Sequence, residues 1–266
     1  GGDEGNYANL NANGTGPFML GARQSGVKTE LVINPNYWGS VKGNITKAVF
    51  TPIAQDATRV AALISGNVHM AYPVPVQDWK RLDDAKGVKP LAGPEARTIF
   101  LGFDQLRDEL LYSNIKGKNP FKDLRVRQAF IKAINIDAIK KKVMRGASVP
   151  AGLMVAPQIN GFNSALNDRP SYDPKGAKKL LADAGYPDGF EVTMDCPNNR
   201  YVNDERICQA SAAMLAKIGI KVTLLAQPKS KYFGKVLAQN NYDTSFFLLG
   251  WTCLLYTSPS PRDRNV

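Results

Sequence analysis

Two apolar segments separated by one helical segment constrain the fold of this chain more than any other feature of its sequence. Residues 190–195 and 220–225 have the pattern of buried strands, and residues 204–217 between them have the pattern of a helix. A strand, a crossover helix and a second strand predict a parallel pair with a right-handed connection. The pattern therefore predicts an α/β fold for this part of the chain.

Helix-capping signals extend the α/β pattern over the second half of the chain. Asp123 precedes a helical pattern with apolar residues on one side, and Asp173 with Pro174 begins another that runs to Gly185. Gly146 closes a further predicted helix over residues 136–145. A helix at 229–239 and a buried strand at 244–251 complete the prediction.

The first half has a different texture, with short apolar segments that predict a half-buried sheet. Strands are predicted within residues 18–20, 29–33 and 48–53. Asp56 is predicted to cap a helix over 57–65, and a shorter helix is predicted at 76–82. A β-rich segment at 96–103 ends this half, which places a predicted domain boundary near residue 104.

The formal net charge of +11 raises the question of a nucleic-acid or membrane partner. The basic residues are spread along the chain, and the densest cluster, at residues 140–142, lies late in a predicted helix, where cations suit the helix dipole. This cluster lacks the interleaved aromatic residues of a nucleic-acid platform. We therefore expect no nucleic-acid partner.

The N-terminal residues 1–4 are polar and acidic, unlike a signal peptide. A mature secreted protein and an internal fragment would both begin in this way.

The last fourteen residues resemble a translated cloning sequence more than a protein segment. Residues 253–263, CLLYTSPSPRD, correspond codon by codon to a transposase adapter used for sequencing libraries. A Ser/Pro-rich tail is the alternative interpretation. We exclude residues 253–266 from the fold prediction, which leaves two cysteines, Cys196 and Cys208.

Six segments, in one order, resemble the family-5 solute-binding proteins of ABC importers. They are residues 14–18 (GTGPF), 31–39 (LVINPNYWG), 57–68 (ATRVAALISGNV), 120–129 (PFKDLRVRQA), 172–185 (YDPKGAKKLLADAG) and 249–252 (LGWT). One departure is His69, the only histidine, where the family has Asp or Glu; we interpret it as a surface or packing change.

The resemblance implies a fragment, truncated at both ends, of a two-lobed periplasmic-binding-protein type II fold. Residues 1–103 would be the return part of the first lobe, and residues 104–252 the second, α/β lobe. It also implies a monomeric protein outside the cytoplasm that binds a peptide or similar small solute and docks on the permease subunits. No cofactor or metal is implied.

Arg200 is the first candidate for ligand binding. Its loop, which also contains Asn198 and Tyr201, follows a predicted strand and precedes a helix, the place where open sheets bind ligands. The resemblance implies that an arginine three residues after Pro197 pairs with a ligand carboxylate, which the guanidinium fork fits well. A solvated loop arginine is the alternative.

Aromatic and polar residues at other strand ends are further candidates. Trp251 closes the predicted strand 244–251, where it could stack on a ligand or belong to the core. Phe103 and Gln105 flank the strand that the resemblance implies crosses between the lobes. The acidic residue that binds a peptide's amino group in the family would follow Thr252, within the adapter-like sequence.

An oxidising compartment and an even number of cysteines predict a disulfide between Cys196 and Cys208. Two buried, reduced cysteines are the alternative.

The sequence contains no HExxH, GxSxG or Cys/His cluster, so it predicts no catalytic residues. A chaperone-like or sensory use of the same fold, or a hydrolase, are the alternative functions.

Overall fold

The computed structural model describes residues 7–238 and 242–252 of the chain. Contacts divide the chain into two compact units, residues 1–71 and 72–266, which we describe separately. The assignment of residues 1–103 and 104–252 to different lobes stays a prediction, because a compact unit of this chain need not be a lobe. The adapter-like residues 253–266 lie outside the described residues.

The first unit contains a three-stranded antiparallel sheet and a helix. Its elements are α1 (Tyr7–Leu10), β1 (Phe18–Gln24), β2 (Lys28–Ile33), β3 (Lys47–Phe50) and α2 (Asp56–Ile64). The sheet order is β1-β2-β3, and Gly26, at a φ of 68°, supplies the left-handed residue of the β1–β2 turn. Strands were predicted at each of these three places, and that prediction is confirmed.

The predicted cap of α2 is wrong. Asp56 is the first helical residue, and Gln55 occupies the cap position without a side-chain hydrogen bond to the helix. The carboxylate of Asp56 instead pairs with the guanidinium of Arg59, one turn further along, and Arg59 also donates to the carbonyl of Ile53 at 2.7 Å. The Asp56 carboxylate therefore accepts from a charged guanidinium and not from a backbone N–H at the start of the helix.

The second unit alternates helices with a mixed sheet. Its regular elements, in order, are a 3₁₀ turn (Val76–Asp78), α3 (Trp79–Asp83), β4 (Thr98–Phe103), a 3₁₀ turn (Pro120–Lys122), α4 (Leu124–Ala133), α5 (Ile136–Ala138), a π-helical turn (Ile139–Val143), a 3₁₀ turn (Ser164–Leu166), α6 (Pro174–Asp183), β5 (Phe190–Pro197), α7 (Asp204–Ala216), β6 (Ile220–Gln227), α8 (Lys229–Val236) and β7 (Phe246–Trp251). The described residues include no helix with both the length and the apolar character required to cross a bilayer.

Local capping chemistry fixes two helix starts as predicted. The carboxylate of Asp123 accepts the N–H of Arg125 at 2.8 Å, and that of Asp173 accepts the N–H of Gly176 at 2.8 Å. The predicted helix over 136–145 is less regular, because one α-helical turn continues as a π-helical turn, Ile139–Val143.

The sheet of the second unit has the order β4-β7-β5-β6. β5 runs parallel to β6 over its whole length and parallel to β7 at Met194 and Asp195. β4 runs antiparallel to β7, with Thr98 opposite Trp251 and Phe103 opposite Phe246. The predicted parallel unit of β5, α7 and β6 is confirmed, and the carboxyl ends of β5, β6 and β7 share one edge of the sheet.

A cluster of phenylalanines fills the core beside the opposite edge. The ring centroid of Phe103 lies 4.7 Å from that of Phe121 and 5.3 Å from that of Phe246, and Phe130 packs edge-on against all three rings. Centroid separations of this size are typical of favourable aromatic pairs. These contacts join α4 to β4 and β7.

Candidate functional site

The candidate site lies at the edge of the sheet where β5, β6 and β7 end. The loop of residues 198–203 follows β5 at this edge and leads into α7. Trp251 ends β7, and Thr98, its partner in the antiparallel register, begins β4. Ligands of open α/β sheets bind outside the carboxyl ends of the strands, so the side chains at this edge are the first to consider.

The buried carboxylate of Asp204 shapes the 198–203 loop. Its Oδ2 accepts the backbone N–H groups of Arg200 at 2.8 Å and Tyr201 at 3.0 Å, and its Oδ1 accepts the N–H of Glu205 at 2.9 Å. Burial raises the pKa of the Asp204 carboxyl above its usual value, and the three backbone donors offset only part of that rise. Asp204 therefore folds the backbone that presents Arg200.

A disulfide ties the same loop to its two flanking elements. It joins Cys196, near the end of β5, to Cys208 in α7, with a Cα–Cα distance of 6.6 Å. Both cysteines are fully buried. This is the pairing that the sequence predicts, and it closes the chain around the loop that carries Arg200.

Arg200 presents its side chain to solvent at this edge. The centre of its guanidinium lies 5.0 Å from the ring centroid of Tyr201 and 6.0 Å from that of Phe233. Both contacts are of the cation–π type. Within residues 7–238 and 242–252, the Arg200 guanidinium has no ion pair or hydrogen bond, so its donors are available to an anion.

Tyr201 connects the loop to β7. Its hydroxyl accepts the backbone N–H of Gly250 at 2.9 Å, beyond the point at which β5 and β7 stop pairing. A Cβ on Gly250 would lie 2.7 Å from the Tyr201 ring and 2.7 Å from Ile99, so only glycine permits this approach. Tyr201 is therefore a structural member of the edge as well as a candidate ligand contact.

Trp251 and Asn198 complete the group of predicted residues at this edge. Trp251 is 43% exposed at the end of β7, and Asn198 is exposed, with its backbone N–H donated to the carbonyl of Gln227 at 3.0 Å. Four predicted residues, Asn198, Arg200, Tyr201 and Trp251, thus belong to one edge of one sheet.

Phe103 and Gln105 lie at the other end of the sheet. The ring of Phe103 packs in the phenylalanine cluster, and Gln105 follows it on an exposed turn. Because β4 is antiparallel to β7, its last residue is opposite Phe246, the first residue of β7. The structure therefore does not bring Phe103 and Gln105 together with Arg200.

Arg97 is the residue at the site that the sequence did not indicate. It precedes β4, and the centre of its guanidinium lies 5.2 Å from the ring centroid of Tyr201. Arg97 could be assigned to the site only from the antiparallel direction of β4, which places the beginning of that strand beside Trp251. Strand direction is a tertiary property, and residue patterns within one strand do not report it.

The described part of the chain contains no cluster of three His, Cys, Asp or Glu side chains able to hold a metal ion. His69 is exposed in the first unit. Two shallow depressions, of about 360 and 490 Å³, are lined by residues around 212–222 and by residues around Lys140 and Arg145.

Comparison with known proteins identifies relatives of the chain. Residues 1–261 match the family described as bacterial extracellular solute-binding proteins, family 5 Middle. The glutathione-binding protein GsiB of Escherichia coli (strain K12) is 27% identical over 241 residues, which are 90% of this chain and 44% of that protein. The chain thus spans less than half the length of this curated relative.

Solved structures show the same relationship. The periplasmic binding protein DppA of Helicobacter pylori, in complex with the peptide STSA, matches with a TM-score of 0.68 and 27% identity over 90% of this chain and 43% of its own. AgaA of A. tumefaciens R10, in complex with agropinic acid, matches with a TM-score of 0.70 and 26% identity over 91% of this chain and 47% of its own. The chain therefore adopts part of the periplasmic-binding-protein fold, and it belongs to the family-5 bacterial extracellular solute-binding proteins.

Proposed function

We propose that the protein containing this chain is the extracytoplasmic solute-binding component of an ABC importer. Its solute would be a peptide or a similar small molecule, held between the two lobes of the full-length protein. The observation that carries the proposal is the Arg200 guanidinium, which is exposed at the carboxyl edge of the sheet without an ionic partner among the described residues. An arginine fork in such a place suits a carboxylate.

The relatives support the solute class. Their names record glutathione, the peptide STSA and agropinic acid as ligands. Arg200, Asn198, Tyr201 and Trp251 would contact the solute, because they share the edge at which the parallel strands end. The aromatic face of Trp251, 43% exposed, offers stacking area at the same edge of the sheet.

The proposal includes the setting in which the protein works. A binding protein of this family would act outside the cytoplasm, as a monomer, and deliver its solute to the permease subunits without altering it chemically. The matched relatives are named for binding and not for catalysis, which supports a role without enzymatic activity. Only the bulk charge of +11 would favour nucleic acid, and we propose no such partner.

Calorimetry on the full-length protein that carries this chain tests the proposal directly. The panel would contain di- to pentapeptides, glutathione and the C-terminally amidated form of each peptide. We expect at least one free-acid member to bind, and its amide to bind more weakly, because Arg200 would lose its carboxylate. A protein that binds no member of the panel, or that prefers the amides, would contradict the proposal.

A further inference from the structure

Two arginines contact one tyrosine ring at the candidate site. The guanidinium centres of Arg97 and Arg200 lie 5.2 and 5.0 Å from the ring centroid of Tyr201. The side chain of Arg97 is only 17% exposed, although it belongs to a surface loop that precedes β4. A guanidinium removed from water in this way needs an anion and hydrogen-bond acceptors around it, so the partners of Arg97 require an explanation.

The hydrogen bonds of Arg97 are incomplete. Its Nη2 donates to the carboxylate of Glu95, two residues earlier, while its Nε is buried and has no hydrogen-bond partner among the described residues. Nε and Nη2 form the side of a guanidinium that grips a carboxylate with two parallel bonds. Glu95 engages only one arm of that fork, and the buried second donor lacks the acceptor that such groups normally have.

Glu95 is also free to leave. Its side chain is 55% exposed and pairs with Arg97 only two residues away, so the contact holds no other element in place. Glu95 is the exposed partner of this ion pair, so water can solvate its carboxylate once it is displaced. An anion that engaged both Nε and Nη2 would therefore displace it at low cost.

We infer that Arg97 is a second anion-binding residue of the solute site, and that Glu95 stands in for the solute's carboxylate when the site is empty. The solutes favoured by this edge would then carry two acidic groups, one for Arg200 and one for Arg97. This inference rests on the proposed function and specifies its solute class.

The test compares two peptides that differ only in one charge, Ala-Ala-Glu and Ala-Ala-Gln, by calorimetry on the full-length protein. We expect the native protein to prefer Ala-Ala-Glu by about tenfold, the effect of one charge-assisted hydrogen-bonded contact. Arg97→Gln should bind the two peptides with equal affinity, and a native far-UV circular dichroism spectrum should show that the variant is folded. Arg97→Lys should retain part of the preference, because an ammonium keeps the charge and loses the fork.

Two further variants separate anion binding from packing. Glu95→Gln should raise the affinity for Ala-Ala-Glu, because it removes the competing carboxylate; a purely structural ion pair would give unchanged or weaker binding. Arg81→Gln is the matched control, since Arg81 also pairs locally, with Asp78 at 3.8 Å. It should leave the preference unchanged.

The outcomes distinguish this inference from the function on which it rests. Binding of neither peptide, nor of any member of the wider panel, would overturn the proposed function and the inference with it. Binding of both peptides without preference, or a preference that survives Arg97→Gln, would overturn the inference and leave the proposed function standing.

Discussion

The carboxylate of Asp204 accepts the backbone N–H of Arg200 at 2.8 Å, so a buried residue of α7 determines where an exposed arginine points. The same oxygen accepts the N–H of Tyr201, whose hydroxyl in turn accepts the N–H of Gly250. One buried acid thus links the loop after β5, the start of α7 and the end of β7.

Replacement of Asp204 should weaken solute binding without removing a ligand contact. Asp204→Ala leaves the N–H groups of Arg200, Tyr201 and Glu205 without their acceptor, and we expect a loss of about 1–3 kcal/mol in the free energy of unfolding. Asp204→Asn keeps one acceptor oxygen, so its free energy of unfolding should lie between those of the native and Asp204→Ala proteins. Urea unfolding and calorimetry measure both effects, and unchanged affinity in a less stable Asp204→Ala protein would argue against the positioning role.

Asp204 should also give the folding stability a distinctive pH dependence. Its pKa is raised from the ordinary 3.8, so the folded state holds the proton more tightly than the unfolded state. The contribution of Asp204 to the free energy of unfolding should therefore fall as pH rises from about 4 to its folded pKa, and stay level above it. Urea titrations of the native and Asp204→Asn proteins across this range isolate the effect, and a contribution that grows with pH would contradict it.

Arg200→Ala should weaken binding of a free-acid peptide. Removal of one side of a charge-assisted contact commonly costs about 2–5 kcal/mol, which is about thirtyfold or more in affinity. Arg200→Lys should restore part of the loss. Arg206 is a suitable control because it is exposed on α7, and Arg206→Ala should bind normally. Equal affinity of the native and Arg200→Ala proteins would make Arg200 a solvated loop residue.

The Cys196–Cys208 disulfide should form when the full-length protein is produced under oxidising conditions. Mass spectrometry under non-reducing conditions should find both cysteines without free thiols. The loop that the bond closes is short, and the double variant Cys196→Ala, Cys208→Ala should lose roughly 3 kcal/mol of stability in the chain-entropy description. Alkylation of both cysteines without prior reduction would show instead that they are buried thiols.

Gly250→Ala should disturb the site through Tyr201. The added Cβ would lie 2.7 Å from the Tyr201 ring, so the ring must move and its hydrogen bond to residue 250 must lengthen. We expect a loss of about 1–3 kcal/mol in stability, as for other overpacked positions, and weaker solute binding. Gly234→Ala is the control, because nothing lies within 4 Å of its added Cβ and alanine favours the α8 helix; a loss as large there would contradict the steric explanation.

Residues 1–71 should not fold by themselves. The described part of this unit buries only Val60 and Arg59, while Trp38 is 82% and Phe50 61% exposed. So small a core does not offset the conformational entropy of the chain. Amide NMR spectra of the isolated segment should show narrow dispersion, whereas well-dispersed spectra would contradict this expectation.

Local chemistry made several features of this protein predictable from sequence. The caps at Asp123 and Asp173 form as expected because the donor and acceptor lie within three residues of each other. The parallel β5–α7–β6 unit was equally predictable, since strand, helix and strand follow one another along the chain. The six family segments are local in the same sense, because each is a contiguous run of residues.

Where a side chain had a choice of partners, local rules were insufficient. Asp56 has the right residue type for a cap, but its carboxylate pairs with Arg59. The helix expected over 136–145 changes to π-helical geometry over Ile139–Val143, and at the end of that turn Asn203 donates to the carbonyl of Val143 at 2.8 Å. Both outcomes depend on competing contacts, which a capping rule does not include.

The composition of the site was decided by tertiary structure. Sequence alone placed Asn198, Arg200, Tyr201 and Trp251 at strand ends, because a strand end is a local property. It could not supply the direction of β4, which puts Phe103 beside Phe246 and the start of the strand beside Trp251. That direction moves Phe103 into the core and brings Arg97 to Tyr201, because strand pairing joins residues about 150 positions apart through hydrogen bonds that leave no pattern within either strand.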